Sequence, residues 1–136
     1  MIYVTRREVF AASHRLHNEN LTDEENSKIF GKCNNPNGHG HNYILEVVIA
    51  GEIDKTTGYV IDLKELKTIL IENIIRKVDH KHLNFDVDFM KGKITSAENI
   101  AIAIWQEIEG DVNKLSCELH CVKVVETENN SVEYYG

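Results

Sequence analysis

Hydrophobic and polar residues alternate in two segments near the beginning of the chain, which is the pattern of β-strands. The first segment runs from Ile2 to about Ser13, and the second runs from Asn42 to Ile53. In the second segment both odd and even positions are apolar, so we expect one sheet face to be covered by helices and the other by another subunit. These two segments are expected to pair as an antiparallel hairpin.

Two helices are predicted by apolar residues that recur every three or four positions. Asp62 can cap the first helix, whose apolar positions are Leu63, Leu66, Leu70, Ile74 and Val78. The second helix opens at Thr95-Ser96-Ala97-Glu98, which matches a capping box, and continues to Gly110. Residues 119–127 and 131–135 then have strand composition. The predicted order is therefore β-β-α-α-β-β.

Two strand pairs with both helices between them indicate an α+β domain with a four-stranded, mostly antiparallel sheet. A sheet of this size has two open edges, and assembly of subunits edge to edge into a barrel would close them. Residues 1–136 have the length of a single domain. The polar stretch at residues 18–40 is long for a loop in a compact domain, and such loops usually carry function.

Composition and charge argue against several classes of protein. Hydrophobic residues make up 42% of the chain, but no apolar run has the length of a membrane span. The net charge of −7 disfavours a broad nucleic-acid surface. The N-terminus shows no secretory signal, and three cysteines cannot all pair within one chain, so we expect a cytoplasmic protein with reduced thiols.

Three histidines have the composition of an open metal site. His39 and His41 are two residues apart, so in an extended segment both rings project from the same face and can share one ion. His14 lies on the expected partner strand and supplies a third imidazole. Three imidazoles with one free position are typical ligands of catalytic zinc, whereas structural zinc normally has four protein ligands. If one of these three histidines is not a metal ligand, His17 is the first alternative ligand to consider.

Four further residues each allow more than one interpretation. Cys33 is a fourth zinc ligand, a reactive thiolate or a small buried residue. Asp79 and His80 are either an acid that orients a proton-transferring histidine or a cap at the C-terminus of the first predicted helix. Glu126 lies in an apolar strand, where it either faces outward or binds a ligand that donates two parallel hydrogen bonds.

The motifs of the chain resemble, in order and in spacing, those of the 6-pyruvoyl tetrahydropterin synthase family. These motifs are Phe10 to Leu16, Cys33 to Tyr43, Gly58 to Leu63, Asp79 to Asn84, Thr95 to Trp105 and Val124 to Thr127. The resemblance implies the tunnelling fold (T-fold), in which trimers form an antiparallel barrel and two trimers stack into a homohexamer. The active sites of such a hexamer lie at subunit interfaces.

The resemblance also implies the activity and the residues that carry it. The reaction would convert 7,8-dihydroneopterin triphosphate to 6-pyruvoyl-tetrahydropterin by elimination of triphosphate, a lyase step of tetrahydrobiopterin biosynthesis. The implied site consists of the Zn²⁺ ligands His14, His39 and His41, the catalytic residues Cys33, Asp79 and His80, and the pterin-binding residues Glu126 and Ser96. Candidates for binding the triphosphate are Arg6, Arg7, Arg15, Lys32 and Lys81. The family commonly has threonine at Ser96 and often at Ala97, and only Ser96 retains a hydroxyl.

Three alternative functions stay open at this point. Relatives in the same family make 6-carboxy-5,6,7,8-tetrahydropterin for the queuosine pathway, but they usually have a shorter interval than that between Cys33 and His39. A cupin metalloenzyme is suggested by His39-Gly40-His41 followed by Glu46 and Gly51, although two capped helices argue against it. A zinc-stabilised module without catalytic activity is the third alternative.

Overall fold

One mixed sheet of five strands organises the protein in the computed structural model, which describes all 136 residues. The strands are β1 (Ile2–His14), β2 (His39–Gly51), β3 (Lys81–His82), β4 (Glu118–Thr127) and β5 (Asn130–Tyr134). Their order is β3-β1-β2-β4-β5, and every neighbouring pair is antiparallel except β1 and β3. The predicted α+β class is confirmed, but the sheet has a fifth strand that the sequence did not indicate.

Helices connect the strands. They are α1 (Asp23–Phe30), α2 (Leu63–Leu70), α3 (Arg76–Val78) and α4 (Ala97–Val112). A π-helical segment, Ile71–Ile75, joins α2 to α3, so the helix predicted after Asp62 is continuous through its expected apolar positions. Asp62 caps α2 as predicted, since its carboxylate accepts a hydrogen bond of 2.8 Å from the backbone N–H of Lys64.

The polar stretch at residues 18–40 is more ordered than the sequence suggested. It contains α1 and a 3₁₀ turn, Gly31–Asn34. Thr22 caps α1 by accepting a hydrogen bond from the backbone N–H of Glu25, and the first turn of the helix is acidic, which stabilises a helix N-terminus. Because Asn26 is the only buried residue of α1, this helix has no apolar periodicity by which it could have been recognised.

The helix α4 begins one residue later than the capping-box pattern indicated. Its N-cap is Ser96, whose hydroxyl oxygen accepts a hydrogen bond of 3.3 Å from the backbone N–H of Asn99. Thr95 therefore lies outside the helix, and it is fully buried. Because α4 begins after Thr95, both the side chain and the carbonyl of Thr95 are available for contacts with β1 and the residues that follow it.

The core lies between one face of the sheet and the helices. On β2 the inward-facing residues Tyr43, Leu45, Val47 and Ile49 are fully buried. They belong to one apolar cluster with side chains from α2 and α4, including Leu66, Leu70, Ile100, Ile104 and Ile108. The outer face of the sheet has no such cover, and Tyr3 and Val9 on β1 are each 56% exposed. No helix has the length and apolar character needed to cross a membrane.

Candidate active site

The pairing of β1 with β2 brings three histidines together at one end of the sheet. His14 is opposite His39 in the strand register, and His41 faces the same side because it follows two residues later. The ligand nitrogens of the three rings all lie within 4.8 Å of one another. The predicted convergence of these histidines is therefore confirmed, and they are close enough to share one metal ion.

A backbone carbonyl determines which nitrogen of His14 faces the cluster. Nδ1 of His14 lies 2.7 Å from the carbonyl oxygen of Thr95. Because a carbonyl only accepts hydrogen bonds, Nδ1 carries the proton and Nε2 has a free lone pair. This arrangement is typical of metal-binding histidines, whose second nitrogen is held by a carbonyl or carboxylate.

The histidine cluster meets the chemical requirements of a zinc site. Nε2 of His14 and Nε2 of His41 are buried, and neither has a hydrogen-bond partner. Burial also lowers the pKa of both rings, which keeps them neutral near pH 7 as metal binding requires. Three imidazole nitrogens are the usual protein ligands of catalytic zinc, so the residues present fit that metal.

Glu126 on β4 points inward and lies beside the histidines. Its carboxylate oxygens are 3.9 Å from Nε2 of His14 and 3.9 Å from Nε2 of His41. Both distances exceed that of a hydrogen bond, and the side chain is 23% exposed. Of the two interpretations that the sequence left open for Glu126, the structure supports the inward one.

Cys33 is held close to the end of β1 by its 3₁₀ turn. The backbone N–H of Leu16 donates a 2.9 Å hydrogen bond to the carbonyl of Cys33. The side chain of Asn34 donates to the carbonyl of Leu16 at 2.8 Å, and Arg15 donates to the carbonyl of Asn34 at 2.9 Å. The thiol is partly exposed and is not among the grouped metal ligands, so the geometry does not favour Cys33 as a fourth ligand.

Asp79 and His80 form a hydrogen-bonded pair beside the edge strand β3. One oxygen of Asp79 accepts a bond of 2.9 Å from the backbone N–H of Ala11, and the other lies 2.9 Å from Nδ1 of His80. The bond from Ala11, followed by the contacts with His80, holds the pKa of Asp79 below its ordinary value. A carboxylate that accepts from Nδ1 orients the ring and leaves Nε2 available for proton transfer.

The backbone of His80 is in an unusual conformation. Its φ is +59°, in the left-handed region that non-glycine residues rarely adopt, and its side chain is 82% exposed. His80 and His41 line one cleft of about 530 Å³, and Cys33 is not part of that lining. Within a single chain, Cys33 therefore does not line the cleft that His80 lines.

The remaining candidates have the following surroundings. The hydroxyl of Ser96 accepts the capping bond of α4 and keeps its proton free to donate. Two of the five cations considered for the triphosphate are already engaged, Arg6 with Glu8 at 2.7 Å and Arg15 with Asn34. His17 lies 3.0 Å from the side chain of Asn34 and is not in the histidine cluster, so it does not replace a metal ligand.

Two residues of the site were not recognised from the sequence. Thr95 was assigned only to a helix cap, although its carbonyl orients His14. Tyr43 was assigned to the apolar face of β2, yet its buried hydroxyl has no partner and its ring centroid lies 5.4 Å from that of His41. The signal for Tyr43 was available, because it continues the alternate positions of His39 and His41.

Comparison with known proteins identifies the family. The family model described as 6-pyruvoyl tetrahydropterin synthase matches residues 3–136. The chain belongs to the 6-pyruvoyl tetrahydropterin synthase family. A human member named 6-pyruvoyl tetrahydrobiopterin synthase is 49% identical over 133 residues, which cover 98% of this chain and 90% of the human protein.

Structural similarity agrees with membership of the 6-pyruvoyl tetrahydropterin synthase family. The solved structure of the 6-pyruvoyl tetrahydropterin synthase from Caenorhabditis elegans superposes with a TM-score of 0.93 at 41% identity, and the match covers 99% of this chain and 95% of that one. An Archaeoglobus fulgidus protein named putative 6-carboxy-5,6,7,8-tetrahydropterin synthase is 34% identical over 95 residues, covering 70% of this chain and 73% of that protein. The similarity to proteins named for the pyruvoyl product is higher and extends further along the chain.

Proposed function

We propose that the protein is a zinc-dependent 6-pyruvoyl tetrahydropterin synthase that converts 7,8-dihydroneopterin triphosphate to 6-pyruvoyl-tetrahydropterin. The reaction eliminates triphosphate and transfers reducing equivalents from the side chain to the pterin ring, so it needs no nicotinamide. The observation that carries this proposal is the cluster of three histidines next to Glu126, two of which, His14 and His41, have unpaired, buried nitrogens. The full-length similarity to the human relative supports the pyruvoyl product.

The metal would be held by His14, His39 and His41, which leave one coordination position for the substrate. When bound there, zinc polarises the side-chain oxygens of the substrate and stabilises the negative charge that develops when a neighbouring C–H proton leaves. Thr95 contributes by holding His14 in the tautomer that directs a lone pair into the cluster.

Proton transfer is assigned to Cys33, Asp79 and His80. The thiolate of Cys33 removes a proton from a side-chain carbon of the substrate. His80 acts as its partner, since Asp79 holds Nδ1 and leaves Nε2 free to take up or deliver a proton. The strained backbone of His80 supports this role, because such conformations are concentrated at functional sites.

Recognition of the pterin ring is assigned to Glu126 and Ser96. The carboxylate of Glu126 would accept two N–H bonds from the amino-pyrimidine edge, which discriminates against rings that lack these donors. The hydroxyl of Ser96 retains a proton with which it can contact the pterin. A ring anchored at Glu126 places its side chain next to the histidines, since the carboxylate lies 3.9 Å from two of their nitrogens.

The single domain of residues 1–136 would act as a homohexamer built from two T-fold barrels of three subunits each. The open sheet edges and the exposed outer face of β1 support this assembly. Cys33 does not line the cleft of the exposed His80 within one chain, which supports an active site completed by a neighbouring subunit. Velocity sedimentation of the purified protein would test the assembly, and a stable monomer would contradict it.

Product identification tests the proposed activity. Purified protein, loaded with zinc, is incubated with 7,8-dihydroneopterin triphosphate, and the products are analysed by mass spectrometry and a triphosphate assay. We expect 6-pyruvoyl-tetrahydropterin and one triphosphate per turnover, and no turnover after chelation. Formation of 6-carboxy-5,6,7,8-tetrahydropterin with acetaldehyde would instead assign the chain to the queuosine branch of the family.

A further inference from the structure

Tyr43 has a polar atom that the free protein leaves unsatisfied. The side chain is fully buried, its ring stacks on Phe10 with centroids 4.9 Å apart, and its hydroxyl has no hydrogen-bond partner. A buried hydroxyl without a partner destabilises a protein relative to a satisfied one, so phenylalanine would be the more stable choice if the position served packing alone. The hydroxyl is therefore a donor that lacks an acceptor.

The carboxylate of Glu126 lacks a hydrogen-bond donor. Its oxygens lie 3.9 Å from Nε2 of His14 and 3.9 Å from Nε2 of His41, beyond hydrogen-bond distance. Nε2 of His14 carries no proton to donate, because Nδ1 is the protonated nitrogen. The carboxylate of Glu126 thus faces the lone pair of Nε2 of His14, which cannot donate a hydrogen bond to it. A metal ion bound by the histidines would use that lone pair and would not supply a donor either. Glu126 is an acceptor that lacks an oriented donor within the protein.

The strand register places these two residues next to each other. In the pairing of β2 with β4, Ile44 is opposite Val125, and continuing this register by one residue sets Tyr43 opposite Glu126. Residues directly opposite on neighbouring strands have Cβ atoms about 4.5 to 5.5 Å apart, and both side chains project from the same face of the sheet. Burial, followed by the negative charge of Glu126, raises the pKa of the Tyr43 hydroxyl, so the two groups are close enough to interact.

We propose that Tyr43 is a positioning residue for pterin recognition, whose hydroxyl donates a hydrogen bond to the carboxylate of Glu126 in the ligand-bound site. A carboxylate beside a bound cation is itself a possible ligand, and a hydrogen bond to one of its oxygens directs it to the amino-pyrimidine edge instead. The inference rests on the proposed role of Glu126 as the pterin anchor and adds the group that orients it.

Removal of the single hydroxyl tests this inference. The Tyr43→Phe variant is loaded with zinc and titrated with 7,8-dihydroneopterin, which lacks the triphosphate, while pterin fluorescence is recorded. We expect its dissociation constant to rise about tenfold, the typical effect of losing a hydrogen bond to a charged group. Zinc content should be unchanged, and the melting temperature of the metal-free variant should be equal to or higher than that of the unaltered protein, because the hydroxyl that is removed has no partner in that state.

Control variants separate this inference from the proposed function. Tyr3→Phe removes a hydroxyl from the exposed outer face and should leave pterin binding unchanged. Glu126→Gln should abolish the effect of Tyr43→Phe, because residues that act as a unit are not additive. If Tyr43→Phe binds the pterin normally, or if it destabilises the metal-free protein, the inference is wrong. If Glu126→Gln itself binds the pterin normally, the assignment of the anchor in the proposed function fails.

Discussion

The metal-free protein should lose stability when the pH falls from 7 to about 5, because histidines whose pKa is lowered by burial resist protonation in the folded state. Burial lowers the pKa of His14 and of His41 below the ordinary value, although the nearby Glu126 opposes part of this effect. In the unfolded chain both residues take up a proton with a pKa of about 6.5. The unfolded state therefore binds more protons below this pH, and acidification favours unfolding.

The slope of this effect has an upper limit that follows from proton counting. Each histidine that is protonated only in the unfolded state changes the free energy of unfolding by at most about 1.4 kcal/mol per pH unit, so the pair contributes up to roughly 2.7 kcal/mol per unit. For a domain of this size, that corresponds to a decrease in melting temperature of up to roughly 10 °C per unit. The stabilisation is complete above pH 6.5 and is lost as the pH approaches the lowered folded-state pKa values.

Urea unfolding in the presence of a chelator, at several pH values and constant protein concentration, measures this slope. His41→Asn should reduce the slope by roughly a third to a half, since it removes one of three histidines, His14, His41 and His82, whose pKa burial lowers. Carboxylates with a lowered pKa, such as Asp79 and Asp111, also stabilise the fold, but they lose this effect only near and below pH 4. A free energy of unfolding that stays constant or increases between pH 6.5 and 5 would refute the reasoning.

Three other substitutions test separate parts of the structure. Cys33→Ser should reduce turnover at least about 100-fold while the zinc content measured by atomic absorption is unchanged, and loss of zinc would contradict its separation from the metal ligands. Ile104→Ala should lower the free energy of unfolding by about 2–5 kcal/mol in urea, whereas Ile29→Ala on the exposed face of α1 should change it by less than about 0.5 kcal/mol. Ser96→Ala should cost about 1 kcal/mol through loss of the helix cap, and Ser96→Thr should restore both stability and pterin affinity if the hydroxyl serves both roles.

Regular elements with one buried face could be predicted from the sequence. The strands β1, β2, β4 and β5 lie within three residues of their predicted ends, and α2 and α4 carry their apolar residues at helical spacing. Burial of one face imposes a period of two or of about 3.6 on the chain, and such a period is visible without any knowledge of partners. The polar helix α1 and the two-residue strand β3 have no buried face of this kind, so no pattern revealed them.

The three clustered histidines, His14, His39 and His41, show how much of the site local periodicity can predict. The spacing of His39 and His41, combined with an expected hairpin, was sufficient to predict that both rings and His14 converge. The start of β2 was placed three residues too late, because the glycines around His39 resemble a loop. Pairing with β1 overrides that local preference and extends the strand through both histidines.

The sequence alone therefore determined the donor types, their order along the chain and the sheet face on which the histidines meet. Only the tertiary structure decided that Thr95, 81 positions from His14, orients that ring and that Glu126 points inward. It also decided that Cys33 does not line the cleft of His80 within one chain. The reason is physical: periodicity reports which side of an element is buried, whereas hydrogen bonds between distant segments depend on strand register and on the packing of helices against the sheet.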